Sequence, residues 1–256
     1  MRLLGYRKET ERVKKKGLRI LAAAAVLTFG CLTMNAYAAE GWALSNNIWT
    51  YLDKNGNRVT NEWKKGADNL WRYLNNSGEM AVNSWADNDY YVDANGIMVA
   101  DKWMQIVSPY SRDSQTYWFY FGSSGKVTKD TWKKIDGKSY YFDADGIMQT
   151  GWTEDGDYYL SSSGAMVTGW RYLEPKDEED SSLYGAESDD GKYWFYFSAS
   201  GKKQSPSTSD DGGDYKVTKI DGKYYCFDAD GRMRTGWVYL DGDPENSSKS
   251  SIADWR

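Results

Sequence analysis

Apolar and aromatic residues recur along this chain in short runs of four: "WTYL", "WRYL", "DYYV", "WFYF", "SYYF", "DYYL", "WFYF" and "YYCF". Each run begins seven residues before a glycine. Its third place is Tyr except at Cys226, and its fourth is always apolar. Side chains alternate across a strand, so places one and three share one face and places two and four the other. Place four (Leu52, Leu74, Val92, Phe121, Phe142, Leu160, Phe197, Phe227) is therefore predicted to be core. A turn of Asp, Asn, Ser and Gly follows, and its closing glycine suits a left-handed backbone position. A second short strand then carries Met or Val and ends in Trp63, Trp85, Trp103, Trp132, Trp152, Trp170 or Trp237.

Each unit reads as a β-hairpin, and a lone hairpin is marginal in water. The turn glycines (Gly56, Gly78, Gly96, Gly125, Gly146, Gly164, Gly201, Gly231) lie 22, 18, 29, 21, 18, 37 and 30 residues apart, a unit of about twenty residues with insertions. The predicted fold is all-β, a solenoid of stacked β-hairpins held by nearest-neighbour contacts. Hairpins are expected at 49–63, 71–85, 90–103, 118–132, 140–152, 158–170 and 194–201 within a repeat region 39–201. A loop is expected at 202–214, a last repeat at 215–241 and a weakly ordered tail at 242–256. Two further insertions, 104–116 and the acidic 174–190, read as loops.

The N-terminus breaks this pattern. A basic stretch, a short apolar run "ILAAAAVLTFGCLTM" and small residues up to Ala38 have the layout of a secretory signal peptide with a helical core, 1–38. Its removal takes away eight basic and two acidic residues, leaving 24 basic against 35 acidic, a net charge of −11. Such a surface repels nucleic acid and anionic lipid. Membrane contact is thus expected only through the leader, and the mature product is expected to be secreted. Only Cys226 remains beyond the leader, so no internal disulfide can form.

The chain has no histidine, the commonest general base and metal ligand. The turn "DADG" resembles part of a calcium loop, but the sixth place counted from Asp143 is Met148 where a glycine is needed. No metal or cofactor is predicted. Tyr and Trp are abundant while bulky aliphatics are few, so the core is expected to be aromatic, with Met98, Met148, Met166 and Met233 packing in it.

The aromatic run, turn Gly, Met and "TGW" of these units resemble the cell-wall-binding repeats of Gram-positive surface proteins. That family includes choline-binding repeats, glucan-binding repeats and the repetitive ends of clostridial toxins. The resemblance covers about 41–241. It implies binding sites between neighbouring hairpins, where Trp from a "GW" end joins aromatics of the strands. A quaternary ammonium over such faces gains about 0.5–2 kcal/mol per cation–π contact, and sugar rings use the same walls.

Carried onto this sequence, the resemblance implies the fullest cages at Trp63 with Trp71 and Tyr73, Trp103 with Trp118 and Tyr120, and Trp170 with Trp194 and Tyr196. Partial sites are expected at Trp85 with Tyr91, Trp132 with Tyr141, and Trp152 with Tyr159. Asp89, Ser139 and Asp157 leave place one of those units without an aromatic.

The resulting expectation is a non-catalytic, wall-associated module at the cell surface. It would dock on choline of cell-wall teichoic acid or on a surface polysaccharide, and a homodimer is one possible state. The alternatives are α-glucan binding and an adhesin or spacer without a small ligand. Paired carboxylates for glycoside hydrolysis are available in number, but they lie in turns and loops on a scaffold without an evident cleft.

Overall fold

The structure is a computed structural model, and it describes residues 39–110, 114–176, 190–206, 215–238 and 253–255. The leader predicted at 1–38 lies outside the described residues, as do 177–189, 207–214 and 239–252.

Among the described residues every regular element is a β-strand. Strand pairs follow one another along the chain, each antiparallel. Gly41–Ser45 pairs with Ile48–Leu52, Glu62–Lys65 with Trp71–Leu74, and Ser84–Ala86 with Tyr90–Val92. Next come Lys102–Val107 with Thr116–Phe121, and Thr131–Ile135 with Lys138–Phe142. Gly151–Trp152 pairs with Tyr159–Leu160, and Gly169–Leu173 with Tyr193–Phe197. Tyr215–Ile220, Lys223–Asp228 and Met233–Arg234 form a three-stranded sheet.

The pairing is half a unit out of phase with the sequence expectation. Each Trp strand pairs with the aromatic run that follows it, not with the run that precedes it. The cause is the connecting turn. Asn46–Asn47, Asp87–Asn88, Asp136–Gly137 and Asp221–Gly222 all have positive φ at both positions, the geometry of a tight type I′ hairpin.

The glycine turn of the sequence analysis is a four-residue loop. At the first copy Gly56 N–H donates to Asp53 O (2.9 Å) and Asp53 N–H to Asn57 O (2.8 Å). The leading side chain caps it: Asp143 Oδ1 accepts the N–H groups of Asp145 (3.0 Å) and Ile147 (2.8 Å). Beyond the loop the chain makes one bridge back to place four, as Phe142↔Met148 and Leu160↔Met166.

That short third segment ties each unit to its predecessor. The N–H groups of Met80, Met98, Val127, Met148, Met166 and Lys203 donate to the place-one carbonyls of Trp49, Trp71, Asp89, Trp118, Ser139 and Asp157, at 2.8–2.9 Å. The same methionines pack under the next unit's turn glycine. A Cβ on Gly125 (φ 80°) would stand 2.6 Å from Met98 Sδ.

Place four is core as predicted: Leu74, Val92, Phe121, Phe142, Leu160, Phe197 and Phe227 are fully buried. Leu52, in the first unit, is half-buried because no earlier unit covers it.

The expected loops are partly strand. Met104–Val107 continues the Trp strand, and Lys203 makes the bridge Phe197↔Lys203 that methionine makes elsewhere. Of the tail, Ala253–Trp255 is described, and it pairs with Gly236–Val238, so the last Trp strand is not left as an open edge.

Candidate ligand sites between hairpins

The hairpin register puts each terminal Trp directly across from a place-three Tyr: Trp63↔Tyr73, Trp85↔Tyr91, Trp103↔Tyr120, Trp132↔Tyr141, Trp152↔Tyr159 and Trp170↔Tyr196. The first hairpin adds a pair the sequence reading did not name, Trp42↔Tyr51. In the last unit the same cross-strand positions hold Val217 and Cys226, and no aromatic pair forms.

A third wall comes from the next hairpin, at place two. Ring centroids are 5.4 Å apart for Trp63–Tyr90, 5.0 Å for Trp85–Phe119 and 4.9 Å for Trp103–Tyr140. They are 5.0 Å for Trp132–Tyr158, 5.0 Å for Trp152–Phe195 and 4.7 Å for Trp170–Tyr225. Sequence reasoning missed this wall. It looked to place one, on the face shared with the Tyr, whereas the opposite face meets the preceding Trp.

The place-one tryptophans are consequently half-exposed. Trp118 and Trp194 still border Trp103 and Trp170 edge-on, at 6.3 and 6.4 Å. Trp71 is not brought to Trp63; it is 40% exposed, with Lys65 Nζ 5.0 Å above its ring. Where place one is Asp, the chain's own lysines occupy it: Asp89 pairs with Lys126 (3.2 Å) and Lys129 (3.0 Å), and Asp157 with Lys202 (3.0 Å). The hydrogen bond from Lys129 holds the Asp89 carboxyl below its ordinary range against the opposing effect of burial.

Two kinds of site emerge. At place-two Phe, the ring is buried and the Trp indole N–H donates to a backbone carbonyl of the next hairpin region: Trp85 Nε1 to Val107 O and Trp152 Nε1 to Glu174 O, both 2.9 Å. Lys203 Nζ also stands 5.3 Å over the Trp152 ring. These Trp are satisfied and self-filled, as packing residues are.

At place-two Tyr, none of the four Trp makes such a bond among the described residues. The site at Trp132 is the most open. Trp132, Tyr141, Tyr158, Thr153, Glu154 and Asp155 line a cavity of about 370 Å³, and Trp132 is 37% exposed. Three aromatic faces and two carboxylates at one mouth suit an organic cation, which gains from the ring quadrupoles and from the negative field together. Carboxylates lie near the sister sites too. Burial first, and then Asp87, pushes the Tyr73 phenol up; at Tyr120 the sequence is burial, then Asp101 and Asp136. Tyr141 is raised by burial and then by Asp130, whose Oδ1 accepts its hydroxyl at 3.4 Å. Raised in this way, the phenols stay neutral, and that of Tyr141 donates to Asp130.

Among the described residues no group of three or more His, Cys, Asp or Glu is placed to hold a metal ion.

Fold and site together define a class: a repeat protein whose hairpins build aromatic sites against their neighbours. The choline-binding repeat family matches residues 39–85 and 127–169. Those two segments are similar to choline-binding repeats. Choline binding protein F of Streptococcus pneumoniae, whose structure was determined in the presence of a peptidoglycan analogue, is similar at 29% identity and TM-score 0.50, over 75% of this chain and 58% of that one. The choline-binding domain of CbpL from the same organism is similar at 22% identity and TM-score 0.52, over 86% of this chain and all of that one. The modular autolysin LytC of S. pneumoniae aligns at 25% identity and TM-score 0.44 over 79% of this chain, which spans half the length of that protein. Among curated proteins none matches this sequence significantly.

Proposed function

We propose that this chain is a non-catalytic, exported wall-binding module that docks on trimethylammonium groups of choline-bearing cell-wall polymers. Binding is at the four Tyr-lined sites centred on Trp63, Trp103, Trp132 and Trp170. The observation that carries this reading is the Trp132–Tyr141–Tyr158 cavity with Glu154 and Asp155 at its mouth. The repeat family and the likeness to choline binding protein F support it. The Phe-lined sites at Trp85 and Trp152 are structural in this account. The hairpins stack as a solenoid, which the regular bonds between each place-one carbonyl and the next unit support.

The test is retention on a matrix bearing tertiary amines that mimic choline, in high salt, followed by elution with free choline. High salt suppresses capture by net charge alone. Elution by choline, with retention weakened by Trp132→Ala combined with Trp63→Ala, is the expected result. A folded protein that flows through contradicts the reading, and α-glucans then become the ligands to try on the same walls.

A further inference from the structure

The turn-proximal positions of two neighbouring units depart from the repeat. After the turn glycine three units carry Ile97–Met98, Ile147–Met148 and Ala165–Met166, and single basic residues stand at Arg58 and Lys126; here the chain has Lys202–Lys203 and then Arg232–Met233. Lys203 keeps the methionine's backbone role, donating its N–H to Asp157 O at 2.8 Å. It keeps the packing role as well: its Cδ would lie 2.8 Å from a Cβ on Gly231. A long basic side chain can bury its stem in this way while its head reaches a polar space.

That space is a cavity of about 780 Å³, to which Lys202, Lys203 and Arg232 contribute together with Lys176 and Lys216. Its acidic lining residues are Asp155, Asp157 and Asp230. Five basic against three acidic groups make it net positive on a chain whose net charge is −5. Asp157 is engaged by Lys202 at 3.0 Å, and Asp230 by Arg232 Nη2 at 3.4 Å. Lys203 and Lys216 have no ion pair among the described residues. Arg232 is only 6% exposed, and its buried Nε has no hydrogen-bond partner. Leaving a buried guanidinium N–H unmatched is costly, and an oxyanion in the cavity that Arg232 lines would bring this guanidinium a counter-charge. Burial also pulls the Lys203 ammonium below its ordinary range, against the opposing effect of Asp230, Asp157 and Asp228.

We propose that this cavity binds a tetrahedral oxyanion of the phosphate class, held by Arg232, Lys203 and Lys216. Trp152 and Phe195 of a Phe-lined site contribute to its lining; it is separate from the four Tyr-lined sites and does not depend on their ligand. It adjoins the Trp132 cavity, since Asp155 lines both. A polymer carrying cationic and phosphate groups in alternation fits the pair.

The experiment is calorimetric titration of the full chain with inorganic phosphate, at ionic strength held constant with sodium chloride. Dimethyl phosphate in a parallel arm separates a monoester-like dianion from a diester. Saturable binding is expected in at least one arm, weakened tenfold or more in Lys203→Met and in Arg232→Gln, with choline binding unchanged. Lys203→Met restores the residue that neighbouring units carry, so folding is preserved. Two results overturn the proposal: no heat beyond that of chloride, or equal affinity in the parent and both variants.

Discussion

Trp132 and Tyr158 belong to successive hairpins, and their ring centroids are 5.0 Å apart. The contact places one wall of the proposed cation site on a different unit from the Trp and Tyr141 that complete it. Tyr158→Ala should therefore remove one cation–π face and weaken choline at this site by about 2- to 30-fold. Trp71→Ala should leave choline affinity unchanged, because that ring is turned away and holds Lys65. Titration of the two variants by calorimetry checks the pair.

Trp85 and Trp132 occupy the same place in the repeat yet should fail in opposite ways. Trp85 packs on Phe119 and Phe121 (5.0 and 5.6 Å) and bonds Val107 O. Trp85→Ala is expected to cost roughly 3–5 kcal/mol in urea unfolding without loss of choline at the remaining sites. Trp132→Ala is expected to cost less stability, since the ring is partly exposed, and to lose its ligand.

The turn glycines are set by their neighbours as well as by φ. Gly125→Ala combines a positive φ with a collision on Met98 and should destabilise by roughly 2–4 kcal/mol. Gly137 shares the positive φ (82°), but a Cβ there meets nothing within 4 Å, so Gly137→Ala should cost only about 1 kcal/mol. Thermal melts of the two variants test the difference.

Cys226 gives a pH signature. The thiol is buried, and burial pushes it up to about 11 from an ordinary 9.0. In a Cys31→Ser background it should resist iodoacetamide at pH 8 until the chain is unfolded. The sign follows from which state loses its proton first. Above pH 9.0 the unfolded thiol ionises while the folded one does not, so stability should fall as pH rises from 9.0 towards 11. Cys226→Val should lack that component of the fall, measured against the parent across the same range.

Much of this was legible in the sequence. The four-residue runs placed Phe121, Phe142 and Phe197 in the core because a period of two needs no tertiary information. The pairing phase was misread although its signal was present. Asp136–Gly137 and Asp221–Gly222, each between Ile and Lys, are strong hairpin turns, but the more frequent glycine loops drew the boundary instead. Tyr90, Tyr140, Tyr158 and Tyr225 were visible as aromatics at place two. Their role was not, because it depends on which face of one unit meets the Trp of the unit before. Lys203 shows the same limit: the sequence marks a lysine in a methionine's place, and only packing shows where its stem and head go.

The central claim is that Tyr-lined and Phe-lined sites differ in function. The most direct measurement is a choline titration followed through the ¹⁵N-labelled indole N–H signals, assigned by single Trp→Phe variants. The account predicts saturable shifts at Trp63, Trp103, Trp132 and Trp170. Trp42, Trp85 and Trp152, whose indoles already donate to backbone carbonyls, should stay in place. Shifts concentrated at Trp85 and Trp152, or no shift at any indole of the folded protein, would contradict it.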